Sequence, residues 1–197
     1  MYNQIFMLIS SVLIITSSLV YLRSVLKGET KIERGAFFLW ALIWLIIFFA
    51  QLVEGLNQAT IISAIFSLSS IIFFLLSFKY GYGNLKKRDK WGIVIASFGL
   101  LLWVITDQPL VAIFSSLFVE AVAGTLLLIK TYEAPYTESL ISWVLYLFGV
   151  TVGLLAIERI ELIEMVVPVY VFIWGLAIVS ILIVRRKQIT KGTKAHS

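Results

Sequence analysis

The sequence predicts an all-α polytopic membrane protein with seven transmembrane helices, arranged as two parallel three-helix repeats joined by a linker helix. Composition is the first observation behind this prediction. Of the 197 residues, 60% are hydrophobic and 14% are charged, whereas soluble domains usually carry about 25% charged residues. The second observation is a series of apolar segments near the length of about 20 residues that crosses a bilayer. The third is the concentration of lysine and arginine in alternate loops.

Seven apolar segments are predicted as membrane-spanning helices, because only hydrogen bonds within the segment satisfy its backbone in lipid. The first segment has no basic residue before it and no small-residue cleavage site after it, so we interpret it as a retained helix rather than a signal peptide. The fourth segment is the shortest. The predicted spans are residues 4–22, 35–53, 58–79, 91–106, 109–129, 139–157 and 163–184.

The basic residues test this count, because seven spans place successive loops on alternate faces of the membrane. Fifteen of the 16 lysines and arginines follow spans one, three, five and seven, and only Arg159 falls on the other face. The distribution predicts an N-terminus outside and a C-terminus in the cytoplasm. Orientation and attraction to anionic membrane lipid account for the net charge of +5. No nucleic acid partner is expected, because no groove-reading motif is present.

A shift of 106 residues places the first three spans on the last three and leaves span four between them. Trp40 then meets Tyr146, and Lys79 meets Arg185. With three spans per repeat, a connecting helix is needed if both repeats are to run in the same direction. Parallel repeats of this type enclose a site near the membrane midplane. The predicted organisation is a first repeat at 1–79, a linker helix at 80–108, a second repeat at 109–185 and a cytoplasmic tail at 186–197.

Short motifs from Lys27 to Tyr170, together with the layout of three, one and three spans, carry a family resemblance. The chain resembles a family of uncharacterised prokaryotic integral membrane proteins and, more distantly, the PQ-loop superfamily that includes the SWEET sugar transporters. This resemblance implies a prokaryotic cytoplasmic (inner) membrane and a small-solute transporter of unknown substrate. The motifs are Lys27-Gly28-x-Thr30-Lys31-x-x-Arg34, Gln51-Leu52-x-Glu54-Gly55, Leu76-Ser77-Phe78-Lys79, Leu102-Trp103-x-x-Thr106 and Pro135-Tyr136-Thr137-Glu138-Ser139.

The sequence departs from the PQ-loop pattern near the cytoplasmic end of span five. No Pro-Gln pair occurs in the chain, and Leu126 stands where PQ-loop transporters usually carry a hinge proline. This departure favours an alternative function: a non-transporting receptor-like or assembly module that binds a lipid, a peptide or another membrane subunit.

Glu120 is the only acidic residue in the interior of any predicted span, and it lies near the middle of span five, whereas Glu164 is the second residue of span seven. An acid at this depth costs about 2.5–3.5 kcal/mol on insertion scales unless it faces a partner, water or the bundle interior. Two interpretations stay open. Glu120 is either a protonatable or cation-binding group of a solute site, or a hydrogen-bonded contact between helices.

The other predicted solute-binding residues are polar or aromatic. Ser116 and Gly124 lie one helical turn on either side of Glu120. Gly124 is also a predicted hinge, as is Pro168, although an ordinary packing bend is the alternative for a proline within a helix. Anchoring at the membrane interface is the alternative for the tryptophans and tyrosines. The remaining members of the predicted site, in spans two, six and seven, are Gln51, Trp40, Trp44, Tyr146, Tyr170 and Trp174.

The sequence gives no support for an enzyme. It contains no cysteine, and its single histidine, His196, lies in the C-terminal tail. No catalytic residue, metal site or cofactor is therefore predicted. The expected partners are membrane lipid and a small solute, and association into a homo-oligomer is left open.

Overall fold

The computed structural model describes residues 2–54, 58–83, 109–157 and 162–195, together with scattered positions between 87 and 105. Its described residues form α-helices, one short 3-10 turn at Pro135–Thr137 and no strand. The described chain is therefore all-helical, as predicted. The helices are α1 (Tyr2–Leu26), α2 (Arg34–Glu54), α3 (Gln58–Tyr80), α4 (Pro109–Glu133), α5 (Leu140–Leu155) and α6 (Leu162–Ala195).

Three of these helices contain stretches that are long and apolar enough to cross a membrane. They are Asn3–Leu26, Ser115–Glu133 and Pro168–Thr190. Shorter apolar stretches occur at Arg34–Phe49, Ala64–Tyr80 and Leu140–Leu155. Large apolar side chains are exposed along much of their length, which is typical of helices that face lipid. The helices are compatible with a membrane protein.

The predicted fourth span and its linker segment, residues 80–108, lie largely outside the described residues. The positions described between 87 and 105 are helical. Five of them carry large exposed apolar side chains at intervals of three and four residues, which places these side chains on one face of a helix. The count of seven helices stays a prediction. The five residues are Trp91, Val94, Phe98, Leu101 and Ile105.

The helix α6 continues beyond the apolar stretch that predicted it. Span seven was expected to end at residue 184, but the helix runs through the basic segment that follows, as far as Ala195. Hydropathy marks where a helix leaves the apolar layer, whereas the helix itself ends where its backbone hydrogen bonds end. The predicted cytoplasmic tail is therefore mostly a continuation of α6.

The chain divides into two compact units, and each is described by itself. The first unit contains residues 1–30 and 130–197, and the second contains residues 31–129. In the first unit α5 packs against both α1 and α6, and in the second α2 packs against α3. Each unit contains helices from both predicted repeats. The predicted repeat boundaries at 1–79, 80–108 and 109–185 stay a prediction.

Small and hydroxylated residues hold α1 against α5 in the first unit. The Ser17 hydroxyl donates to the Ser142 carbonyl, and the Ser142 hydroxyl donates to the Ser17 carbonyl, both at 2.9 Å. The Ser10 hydroxyl donates to the Gly149 carbonyl at 2.8 Å. A Cβ atom added to Gly149 would lie 2.8 Å from Cγ1 of Ile14. Close approach and hydroxyl-to-carbonyl bonds are the main sources of helix association in lipid.

Because α1 lies so close to Gly149, we expect Gly149→Ala to force the two helices apart. Overpacking of this kind typically costs about 1–3 kcal/mol. The measurement is thermal unfolding of the purified protein in detergent, with Ile141→Ala as the control because the Ile141 side chain on the same helix is exposed. An unchanged unfolding temperature for Gly149→Ala, matching that of the control, would contradict this account of the α1–α5 contact.

Candidate functional site

The second unit contains a hydrogen bond between the predicted acid and one of the predicted aromatic residues. Nε1 of Trp40, on α2, donates to Oε2 of Glu120, on α4, at 2.7 Å. Both side chains are partly buried. The adjacent residues Leu39 and Val119 are completely buried. The carboxyl of Glu120 is itself buried away from water, with a neutral indole as its partner.

Within the described part of the chain, the Glu120 carboxyl has no ion-pair partner. The indole of Trp40 is its hydrogen-bond donor among these residues. A charged carboxylate in an apolar environment needs compensation beyond one neutral donor, because removing its charge from water is costly. This carboxyl therefore has remaining capacity to accept a proton or a positively charged group.

Aromatic rings fix the position of Trp40. Phe37 meets Trp40 edge to face, with ring centroids 5.0 Å apart and an interplanar angle of 88°. Phe37 also contacts Phe73 of α3, with centroids 5.2 Å apart. Both phenylalanine side chains are buried. These contacts connect Trp40 to α3 and limit the orientations that its indole can adopt.

Other predicted residues in the second unit lie on the same two helices. Trp44 stacks on Phe66 of α3, with centroids 4.7 Å apart and an interplanar angle of 23°. Gly124 is buried, and Ser116 is partly buried. The side chain of Gln51 lies outside the described residues. The role of Gly124 as a hinge stays a prediction.

The first unit contains the remaining predicted aromatic residues. The rings of Tyr170 and Trp174, one turn apart on α6, have centroids 6.0 Å apart. A Cβ atom added to the adjacent Gly175 would lie 3.3 Å from Cε1 of Tyr146, so α6 approaches α5 closely at that ring. The structure thus associates these aromatic residues with one unit and the Trp40–Glu120 pair with the other. A single site that combines them stays a prediction.

Pro168 lies inside α6 rather than at its end. The helix extends from Leu162 to Ala195 on both sides of this proline. A proline inside a helix removes one backbone hydrogen bond and favours a bend at that point. Its role as a hinge stays a prediction.

A buried ion pair that we did not predict lies at the end of α4. The side chains of Lys130 and Glu138 are both 0% exposed, and Nζ of Lys130 donates to Oε1 of Glu138. Nζ of Lys130 also donates to the Thr137 carbonyl at 2.8 Å. Nε1 of Trp143 donates to the second carboxylate oxygen, Oε2 of Glu138, at 3.0 Å. Both oxygens of this buried carboxylate therefore have donors, one of them charged.

Hydrogen bonds from Arg186, a residue of α6, connect the same turn to this helix. The guanidinium of Arg186 donates to the carbonyl oxygens of Pro135 and Glu138. In the opposite direction, the Tyr136 hydroxyl donates to the Arg186 carbonyl at 3.1 Å. The turn at 135–138 is therefore bound on one side to Lys130 of α4 and on the other to α6.

The second unit contains a comparable connection between a loop and the end of a helix. The backbone N–H of Ile32 donates to the Tyr80 carbonyl at 2.9 Å. The 106-residue shift maps Ile32 and Tyr80 onto Glu138 and Arg186, which are also hydrogen-bonded to each other. Nη2 of Arg34 reinforces the connection by donating to the Ser77 carbonyl at 2.8 Å. Both pairs of positions are thus hydrogen-bonded, although the loop donates from its backbone in the first pair and the helix donates from a side chain in the second.

The starts of α2 and α5 also correspond under this shift. Glu33 precedes α2, and its carboxylate accepts from the backbone N–H of Ala36. Ser139 precedes α5, and its hydroxyl accepts from the backbone N–H of Ser142 at 3.3 Å. Both are helix caps that satisfy an otherwise unpaired N–H of the first turn. The shift of 106 residues maps Glu33 onto Ser139 and Ala36 onto Ser142.

Comparison with protein-family models, curated proteins and solved structures finds no match for this chain.

We expect Lys130→Met and Glu138→Leu to destabilise the protein individually by about 3–5 kcal/mol, because each leaves a buried charge without its partner. The double variant should lose much less than the sum, since it removes both charges together. Thermal or denaturant unfolding of the two single variants and the double variant measures this coupling. Additive losses would show that the two side chains act independently.

Proposed function

We propose that this chain is a small-solute membrane transporter of the PQ-loop or SWEET-like type, with a solute site that includes Glu120. The observation that carries the proposal is the hydrogen bond between Glu120 and Trp40. In this bond, the one acidic residue in the interior of a predicted span meets an indole from another helix. Acids within membrane-spanning segments are rare and mark substrate, ion or proton pathways.

The proposed architecture has seven spans in a prokaryotic inner membrane, with the N-terminus outside and the C-terminus in the cytoplasm. Two parallel repeats joined by a linker helix would enclose the site near the midplane. The Tyr146, Tyr170 and Trp174 side chains are proposed to complete its walls. The proposal includes membrane lipid as a partner and does not require a homo-oligomer.

One observation favours the alternative, a non-transporting module that binds a lipid, a peptide or another membrane subunit. The helix α4 is continuous from Pro109 to Glu133, and its buried Leu126 stands where a hinge proline is usual in PQ-loop transporters. In this alternative, the Glu120–Trp40 hydrogen bond only joins two helices.

The variant Glu120→Gln separates these two functions. An amide oxygen still accepts from Trp40 Nε1, so a purely structural contact would be preserved. The carboxylate charge and its ability to take up a proton are lost. For a transporter, we expect a library of small solutes to contain members that raise the unfolding temperature of the wild type, in a pH-dependent way, and not that of Glu120→Gln.

Trp40→Phe is the matched control for the contact itself. The variant keeps an aromatic ring but removes the N–H donor. Because an average hydrogen bond between membrane helices contributes about 0.6 kcal/mol, the expected loss of stability is of that size. Uptake into proteoliposomes then tests whether the bound solute crosses the membrane. If no solute stabilises the protein, or if the Gln variant binds as the wild type does, the transporter proposal is wrong.

The proposed orientation can be tested with single cysteines, because the chain contains none of its own. We expect Asn3→Cys to react with a membrane-impermeant thiol reagent in right-side-out spheroplasts. Gln188→Cys, whose side chain is exposed on α6, should react only after the membrane is opened. Labelling of both variants before the membrane is opened would contradict the placement of the two termini on opposite sides of the membrane.

A further inference from the structure

We propose that the solute bound at Glu120 is an organic cation, a small amine or quaternary ammonium compound whose charge lies against the Glu120 carboxylate and the Trp40 indole. This inference rests on the transporter function proposed above and adds the chemical class of the substrate.

The contrast between two acids of this chain is the first argument. Glu138 is completely buried, and the protein supplies it with a lysine, Lys130, in direct contact. Glu120 lies in an apolar environment as well, but among the described residues its partner is the neutral Trp40 indole. Within the described parts of the chain, one carboxylate thus has a cation of the protein as its partner and the other has none, which leaves its counter-charge for a ligand to supply.

Two described basic residues of the second unit, Arg34 and Lys79, are engaged at other places. The guanidinium of Arg34 donates to the Ser77 carbonyl and lies 4.9 Å from the ring centroid of Phe78. Nζ of Lys79 lies 5.2 Å from the ring centroid of Tyr80. Both contacts are at the ends of α2 and α3, away from the segment of α2 that carries Trp40. Neither of these side chains provides a positive charge to Glu120.

The chemistry of the indole is the second argument. An N–H group that donates to a carboxylate becomes polarised, and electron density on the ring rises. Tryptophan already has the ring that attracts cations most strongly. Phe37 holds the indole edge to face at 5.0 Å, which fixes the direction of its ring face. A carboxylate and an electron-rich ring together favour a positive charge with an apolar body, and they repel an anion.

An uncharged solute fits this pair less well. A neutral hydroxyl compound can donate to the carboxylate, but it leaves the negative charge uncompensated in an apolar environment. A protonated amine satisfies both the charge and the hydrogen-bonding capacity of the free carboxylate oxygen, and a quaternary ammonium ion satisfies its charge. This difference in charge compensation favours a cation over an uncharged solute as the ligand.

The test uses the full-length purified protein and pairs of probes of the same shape that differ only in charge. Choline is compared with 3,3-dimethyl-1-butanol, and benzylamine with benzyl alcohol, within a wider panel of primary amines and quaternary ammonium ions that have uncharged counterparts. We expect charged members to raise the unfolding temperature while their neutral counterparts do not. Glu120→Gln should weaken binding of the cation at least about tenfold, as expected for loss of a charge-assisted contact.

Two further variants keep the test decisive if Glu120→Gln fails to fold. Glu120→Asp preserves the charge and should retain selectivity for cations. Trp40→Leu removes the aromatic face and should weaken cation binding while the carboxylate stays in place. Equal binding of a cation and its neutral counterpart to the wild type would overturn the inference.

The results also distinguish this inference from the proposed function on which it rests. If only uncharged solutes bind, and they are taken up into proteoliposomes, the site belongs to a transporter but its substrate is not a cation. If no member of any pair binds and no uptake occurs, both proposals fail. If no cation stabilises the protein at any pH, while its unfolding temperature changes with pH in a way that Glu120→Gln abolishes, a proton occupies the site and the cation proposal is overturned.

Discussion

Polar groups on apolar helices of the kind that cross membranes have no water to bind, and this constraint decides which contacts hold the described helices together. The serine hydroxyls of the first unit show its effect. Ser10 and Ser17 donate to carbonyl oxygens of α5, and Ser142 donates back to α1. Each bond satisfies a hydroxyl that would otherwise be buried without a partner, and it also brings two backbones together. Polar satisfaction and helix packing are therefore achieved by the same few atoms.

Basic residues expected at the cytoplasmic face also have a structural role, because they hydrogen-bond backbone carbonyls. Arg34, Lys130 and Arg186 donate to backbone carbonyls at the ends of helices, where the last turn leaves its C=O groups unpaired, or in the turns beside them. Charge bias across a membrane orients a chain whatever the side chains contact. Here the same residues also fasten loops to helices. Their concentration in alternate loops is explained by the predicted orientation, whereas their positions are explained by the turns that they hold.

The sequence predicted the helices better than their contacts. Hydropathy placed the start of α4 correctly at residue 109, because the composition changes there. It did not predict that Lys130 pairs with Glu138, since that contact depends on a 3-10 turn that folds the chain back over eight residues. The Trp40–Glu120 bond joins residues 80 positions apart, and no local pattern encodes it. Both residues were predicted for the site from chemistry and depth alone, without their mutual contact.

The repeat bears on whether Glu120 is merely a contact between helices. The 106-residue shift maps Trp40 and Glu120 onto Tyr146 and Ile14, so α5 and α1 hold the positions that correspond to α2 and α4. In that pair Ile14 packs closely over Gly149, and hydroxyl groups make the hydrogen bonds. The corresponding helices therefore associate without any acid. If the predicted repeat holds, an apolar residue is sufficient at this position, so the cost of a carboxylate at Glu120 needs a reason other than packing, and the proposed binding of a charged group would provide one.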